Sequence, residues 1–278
     1  MAFIALLAVI NLSVSTNPIA VFHGLGDLCL NTSFTNYFAS KLGVYARCIE
    51  SGGLFFDFLT SFEYQAEYAC NTLKKDKNFH GDFNVIGISQ GALIARYIIE
   101  KCEMPGRVKR YISIGGPQMG VGKFPHCDTG IICDTVNYVV DKAVYFRLIQ
   151  GIVGPAGYFK DVRNYKEYLN YSTFLSDLNN EKEAKNQSYK DRMLGLERMI
   201  LIKFTEDTMI IPKETAWFQF YDANGELQKL EDSELYQKDF IGVKTLNEQG
   251  KIDFFKFYGD HLDFGTEEID KYMIPYLE

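Results

Sequence analysis

The chain has 278 residues, 47% of them hydrophobic and 23% charged, which suits one large globular domain or a domain carrying an insertion. Its formal charge is −7, from 36 acidic and 29 basic residues, and it has no basic footprint, which argues against nucleic acid as a partner.

Residues 2–14 form an apolar run without charge, shorter than the roughly 20 residues that span a bilayer. Ser13 and Ser15 follow, just before Thr16-Asn17-Pro18. Residues 1–15 therefore read as a secretory signal peptide, with a mature chain over 16–278 that has no transmembrane anchor. The competing reading is a buried first strand.

Strand and helix patterns then alternate. Residues 18–23 are a short apolar strand, and 44–49 look like a second. Phe62, Ala66, Ala69, Cys70 and Leu73 recur at helical spacing. Residues 83–88 form a β-branched apolar run, followed by a helix to about residue 101 and another strand over 108–114 that stops at Gly115-Gly116-Pro117. This rhythm predicts an α/β fold with a mainly parallel sheet flanked by helices. It lapses over 120–198, which reads as a mostly helical insertion folded over the sheet. In that stretch, Val136, Val139, Val140, Ala143 and Val144 share a helix face within 134–151, GIVGPAGYF reads as a loop, and Ser188 to Asp191 resembles a capping box. Strands return at 199–204 and 253–258, and a helix is expected over 267–277.

Secretion changes the reading of the six cysteines, at 29, 48, 70, 102, 127 and 133. An even count in an oxidising compartment predicts disulfides, with about 15 connectivities open. No CxxC pair supports a zinc site. Acceptor sequons at Asn31, Asn170 and Asn186 agree with passage through the secretory pathway.

Gly87-Ile88-Ser89-Gln90-Gly91 fits G-x-S-x-G with a strand before it and a helix after it, the context a nucleophile elbow requires. The competing reading is an N-cap serine between incidental glycines. A serine hydroxyl needs a base. In the order nucleophile, acid, histidine, His126 and His261 remain eligible; His261 directly follows a strand and is the one expected. The acid should follow the 199–204 strand, where both Glu206 and Asp207 stand; Asp260 adjoins the histidine but falls in the wrong position. Oxyanion donors are expected at the amides of Gln90, after the nucleophile, and of Leu25, in the His23-Gly24-Leu25-Gly26 loop. His23 would orient that loop.

With these residues placed, the chain resembles the palmitoyl-protein thioesterases of lysosomal type. His23-Gly24-Leu25-Gly26-Asp27, the serine segment, Ile114 to Val121, Asp207-Thr208, Trp217 to Tyr221 and Gly259 to Leu262 match that family's blocks in order. The resemblance implies an α/β-hydrolase fold whose helical insertion forms part of an acyl groove. It assigns the acid to Asp207, beside Ser89 and His261. It also implies pairing of Cys70 with Cys102 and of Cys127 with Cys133. Cys29 is followed by Leu30 where relatives carry adjacent cysteines, and Cys48 lies outside the pattern, so these two are left to pair with each other. Pro117-Gln118 also departs from the family's glycine turn.

The expected activity is hydrolysis of long-chain acyl thioesters, palmitoyl above all, on cysteines of proteins or peptides, in a lysosomal or secreted enzyme using neither cofactor nor metal. Acyl-CoA is a further candidate substrate. Met209, Ile210 and Trp217 are candidate groove residues. The rival readings are a lipase or carboxylesterase with the same machinery, an acyl-CoA thioesterase with a narrower groove, and a catalytically silent binding protein.

Overall fold

The computed structural model describes residues 17–30, 32–53, 55–123 and 143–278. The expected signal peptide, Asn31, His126, Cys127, Cys133 and the first part of the helix expected over 134–151 lie outside the described residues.

Six strands form one parallel sheet. They are β1 (Ile19–Phe22), β2 (Ala46–Ile49), β3 (Phe83–Ile88), β4 (Val108–Ile114), β5 (Arg198–Phe204) and, after two short strands, β8 (Ile252–Phe257). Their order is β2-β1-β3-β4-β5-β8, and every neighbouring pair is parallel. β6 (Phe220–Tyr221) and β7 (Leu227–Gln228) make a separate antiparallel pair.

The pleat sends alternate side chains to opposite faces. Ala20, Phe22, Val85, Tyr111, Met199 and Leu201 enter one apolar core, while Ile19, Val21, Ile86, Ile112, Ile200 and Ile202 enter the other. Strands buried on both faces read as continuous β-branched runs, which is why their sequences were so plain. α1 (Ser33–Leu42) and the C-terminal elements cover the second face. The first is covered by α3 (Phe62–Lys75), α4 (Gly91–Glu100) and the insertion, with the short helix α2 (Phe55–Leu59) at its edge.

The insertion holds α5 (Arg147–Ile152), a 3₁₀ turn at Gly154–Tyr158, α6 (Tyr165–Tyr171), α7 (Leu175–Leu178) and α8 (Gln187–Leu194). It is docked by Arg96, fully buried on α4. The guanidinium donates to the carbonyls of Gln118 (2.9 Å) and Leu178 (3.3 Å), to Asn179 Oδ1 (2.9 Å) and to Glu100 Oε1 (2.7 Å). Phe62 meets Phe174 and Tyr158 edge-on, at 4.6 and 5.0 Å between ring centroids.

Several boundaries differ from the sequence reading. β2 starts at Ala46, not 44. The GIVGPAGYF stretch contains a buried 3₁₀ turn, because Gly154 packs where a Cβ would stand 2.1 Å from the carbonyl oxygen of Asp57. α8 is capped two residues earlier than expected, by Asn186, whose Oδ1 accepts from the Ser188 amide at 3.0 Å. The last helix covers only Thr266–Tyr272; a 3₁₀ turn follows at Ile274–Tyr276, where Pro275 lacks the amide an α-helix would need.

Candidate active site

Ser89 stands at the end of β3 with φ +51°, a left-handed conformation that few non-glycine residues adopt. The amide of Ser89 donates to the Ile114 carbonyl at 2.8 Å, and its own carbonyl accepts from the Ala92 amide at 3.0 Å. The turn is too tight for side chains on either flank. A Cβ on Gly87 would meet Ala92 Cα at 2.3 Å, and one on Gly91 would meet the Phe22 carbonyl oxygen at 2.3 Å. This is the steric content of G-x-S-x-G, and it excludes the plain N-cap reading: Gln90, not Ser89, precedes the first residue of α4.

His261 follows β8 and Asp207 follows β5. The Ser89 hydroxyl lies 2.9 Å from His261 Nε2, and His261 Nδ1 lies 2.7 Å from Asp207 Oδ2. The second Asp207 oxygen accepts from the Met209 and Ile210 amides at 2.9 and 2.8 Å. Those bonds fix the orientation of the carboxylate. Glu206 is exposed and Asp207 is the residue turned inward. Asp260 points away from the imidazole: it accepts from the amides of Thr208 and His261 at 2.8 and 2.7 Å, and these bonds hold its carboxyl below the usual range. Behind the imidazole, Gly115 leaves clearance, since a Cβ there would stand 3.1 Å from His261 Cε1.

The loop after β1 faces the serine: a Cβ built on Gly24 would stand 3.4 Å from Ser89 Cβ. The amides of Leu25 and Gln90 have no acceptor among the described residues. Two buried groups frame this loop from behind. His23 Nδ1 donates to the Gly24 carbonyl at 2.9 Å. Asp57, fully buried on α2, accepts from the Gly26 amide at 3.1 Å and from the Gly53 amide at 2.9 Å; burial pushes its carboxyl up while nearby His23 opposes the shift. Sequence reasoning missed Asp57, although a lone acid within the aromatic run FFDFL was a visible signal.

A largely apolar cleft of about 280 Å³ opens above the serine. Phe58, Val121, Tyr158, Met209 and Ile210 line it together with the loop after β1. Val121 and Tyr158 come from the stretch read as an insertion, and the Tyr158 hydroxyl donates to Gln90 Oε1 at 3.1 Å. Trp217 requires a correction. It is absent from the cleft: its indole N–H donates to the Leu201 carbonyl at 3.1 Å, and its ring packs edge-on against Phe254 beneath the Lys203 ammonium. A backbone carbonyl on the interior strand β5 satisfies the indole there.

Cys29 is bonded to Cys48 and Cys70 to Cys102. Asn170 and Asn186 are both exposed. Among the described residues no helix is long and apolar enough to cross a membrane.

The model of the family described as palmitoyl protein thioesterase matches residues 18–261. The chain belongs to that family. It is 34% identical to palmitoyl-protein thioesterase 1 of Caenorhabditis elegans over 88% of this chain and 86% of the relative. With palmitoyl-protein thioesterase 3 of Dictyostelium discoideum it shares 33% over 95% and 93%, and with lysosomal thioesterase PPT2-B of Xenopus laevis 29% over 91% and 89%. Among solved structures, one described under two metagenome-derived lipolytic enzymes, LipS and LipT, aligns over 95% of this chain and 94% of its own, with a TM-score of 0.50 at 9% identity. That likeness concerns the fold alone, an α/β hydrolase.

Proposed function

We propose that this member of the family hydrolyses long-chain acyl thioesters on cysteine of proteins or peptides, with Ser89 as nucleophile, His261 as base and Asp207 as the group that orients it. The observation that carries this reading is the unbroken relay from Asp207 through His261 to the Ser89 hydroxyl, at 2.7 and 2.9 Å, at the floor of an apolar cleft.

The reaction runs in two halves. Ser89 Oγ attacks the thioester carbonyl while His261 Nε2 takes its proton. Asp207 holds the Nδ1–H tautomer and stabilises the imidazolium without taking the proton. The developing oxyanion is received by the amides of Leu25 and Gln90. Collapse expels the cysteine sulfur, protonated by His261, and leaves an acyl ester on Ser89. Water, activated by the same imidazole, then releases the fatty acid. A thiol, with a pKa of about 8.5, is an easy leaving group, so attack and oxyanion stabilisation matter more than acid catalysis. None of these steps calls for a metal or cofactor.

The relatives' names and the two disulfides support work in the lysosome or outside the cell. The test is turnover of S-palmitoyl peptides, palmitoyl-CoA and matched oxygen esters by purified protein, alongside labelling of Ser89 by a fluorophosphonate. Thioester turnover well above ester turnover is expected. Preference for oxygen esters would turn the assignment to a carboxylesterase, and absence of labelling in folded protein would turn it to a binding protein.

A further inference from the structure

Beside the loop after β1, a histidine, a carboxylate and a disulfide meet. A ring nitrogen of His23, Cys29 Sγ and a Glu50 carboxylate oxygen all lie within 4.8 Å of one another, and Cys48 joins them through its bond to Cys29. His23 is 2% exposed. Its Nδ1 donates to the Gly24 carbonyl, which turns Nε2 toward Ser51 and Glu50. A backbone carbonyl on the far nitrogen is the arrangement that orients a histidine as a metal ligand. Nε2 already receives the Ser51 amide at 3.3 Å, yet Glu50 Oε1 stands 2.8 Å from it. That oxygen is buried and, among the described residues, has no hydrogen-bond donor besides this imidazole. An imidazole nitrogen and a carboxylate oxygen thus meet at 2.8 Å beside a pair of sulfurs, and a cation would take the place of the proton between them.

We propose that the Cys29–Cys48 disulfide masks a zinc site, formed on its reduction by Cys29, Cys48, His23 and Glu50. A dithiol reductant delivers two electrons to the disulfide and is itself oxidised to a cyclic disulfide, leaving two thiols. Zn²⁺ then binds both sulfurs as thiolates, releasing two protons, and takes His23 Nε2 and a Glu50 oxygen as its remaining ligands. Two sulfurs, one nitrogen and one oxygen complete a tetrahedral set, with bonds of about 2.3 Å to sulfur and 2.0–2.2 Å to nitrogen and oxygen. The ligand atoms need move only modestly to reach such a sphere. His23 and Cys29 bracket Leu25 in sequence, so occupancy tightens the loop around the expected oxyanion donor and slows acyl transfer. Zinc then acts as an inhibitor that reads the thiol balance of the compartment. The site stands on ligand geometry alone, and its binding readout does not depend on thioester hydrolysis.

The experiment titrates Co²⁺ into protein reduced with a phosphine and freed of reductant without air, with the fold checked by circular dichroism. One equivalent should give thiolate-to-cobalt charge-transfer absorption and tetrahedral d–d bands, both lost on adding Zn²⁺; oxidised protein should give neither. Glu50→Gln should weaken cobalt binding at least tenfold. The double variant Cys29→Ser/Cys48→Ser should abolish the charge-transfer band, and its persistence would place the metal on other cysteines and overturn the proposal. Cys48→Ser, prepared without reductant, frees Cys29 while Cys70–Cys102 stays closed. It should bind Co²⁺ with a weaker, single-thiolate band. Folded Cys48→Ser that binds no cobalt overturns the site, as does failure of both this variant and reduced protein to keep their fold, because the site requires a folded thiol form.

Discussion

Asp57, itself fully buried, holds Gly26 by a single hydrogen bond of 3.1 Å, and through Gly26 it sets the backbone next to the expected oxyanion donor Leu25. The carboxylate lies one residue beyond the reaction and touches no reacting atom. Asp57→Asn keeps the shape but offers an amide where two amide donors converge. The expected result is a kcat lower by about tenfold to a hundredfold with KM little changed, on the scale of losing part of one oxyanion donor. Equal losses in kcat and in folded fraction would reduce its role to stability.

Ser89→Ala and His261→Ala should each lower turnover by several orders of magnitude, about 10⁶-fold being the upper range for such groups, while leaving melting behaviour nearly intact. Neither change opens a large cavity. Retained turnover in either folded variant would move the chemistry elsewhere.

Asp207→Asn should cost far more than Glu206→Gln or Asp260→Asn. The amide can present N–H to His261 Nδ1 and favour the wrong tautomer, with a loss on the order of 10⁴-fold. Glu206 is exposed, and its change should be near neutral. Asp260→Asn should fall between, because that side chain fixes the loop carrying His261 through the His261 amide. Steady-state kinetics of the three variants check this order.

Stability should increase on acidification from neutral pH. Glu100 is fully buried against Arg96, and desolvation raises its carboxyl to about 7 even though the guanidinium opposes the shift. Its folded pKa lies above the unfolded value, so the folded state holds this proton more tightly. The contribution is fully present below the unfolded pKa and is lost as pH rises through about 7. Between pH 5 and 8 this group is worth on the order of 2 kcal/mol. Denaturant melts of wild type and Glu100→Gln at both pH values should show a smaller pH effect in the variant; identical pH effects would refute the linkage.

Long acyl chains should be preferred. Each methylene buried in the cleft contributes about 0.8 kcal/mol, so going from eight to sixteen carbons adds up to roughly 6 kcal/mol, less the cost of ordering the chain. Even a third of that favours palmitoyl over octanoyl about thirtyfold. Specificity constants for butyryl, octanoyl and palmitoyl thioesters below their micelle concentrations decide it. A maximum at four to eight carbons would favour the short-chain esterase or narrower thioesterase.

The sheet and the relay were legible because each rests on local pattern. Buried parallel strands leave apolar runs, and the elbow leaves two glycines at fixed offsets. His261 followed from its place just after a strand; the same argument left Glu206 and Asp207 open, and the family resemblance chose Asp207. What stayed hidden depends on contacts between distant segments. Trp217 looked like a groove aromatic, but Leu201 and Phe254 claim it. The GIVGPAGYF stretch looked open, yet Gly154 packs against the backbone of α2. Asp57 and Glu50 gain meaning only once the loop after β1 lies against them, and no spacing in the chain announces that.

Ser89 and His261 are separated by 172 residues, and His261 and Asp207 by 54. Each follows a different strand of the one parallel sheet, β3, β5 or β8. A slip of β8 by one residue would carry the imidazole away from the serine by about a strand rise, 3.3 Å, more than a hydrogen bond can stretch. Fluorophosphonate labelling is therefore also a gauge of assembly: a chain arrested before its last strand docks would be compact, rich in native strands and silent to the probe. Followed during refolding, the appearance of labelling would time the arrival of the C-terminal strand.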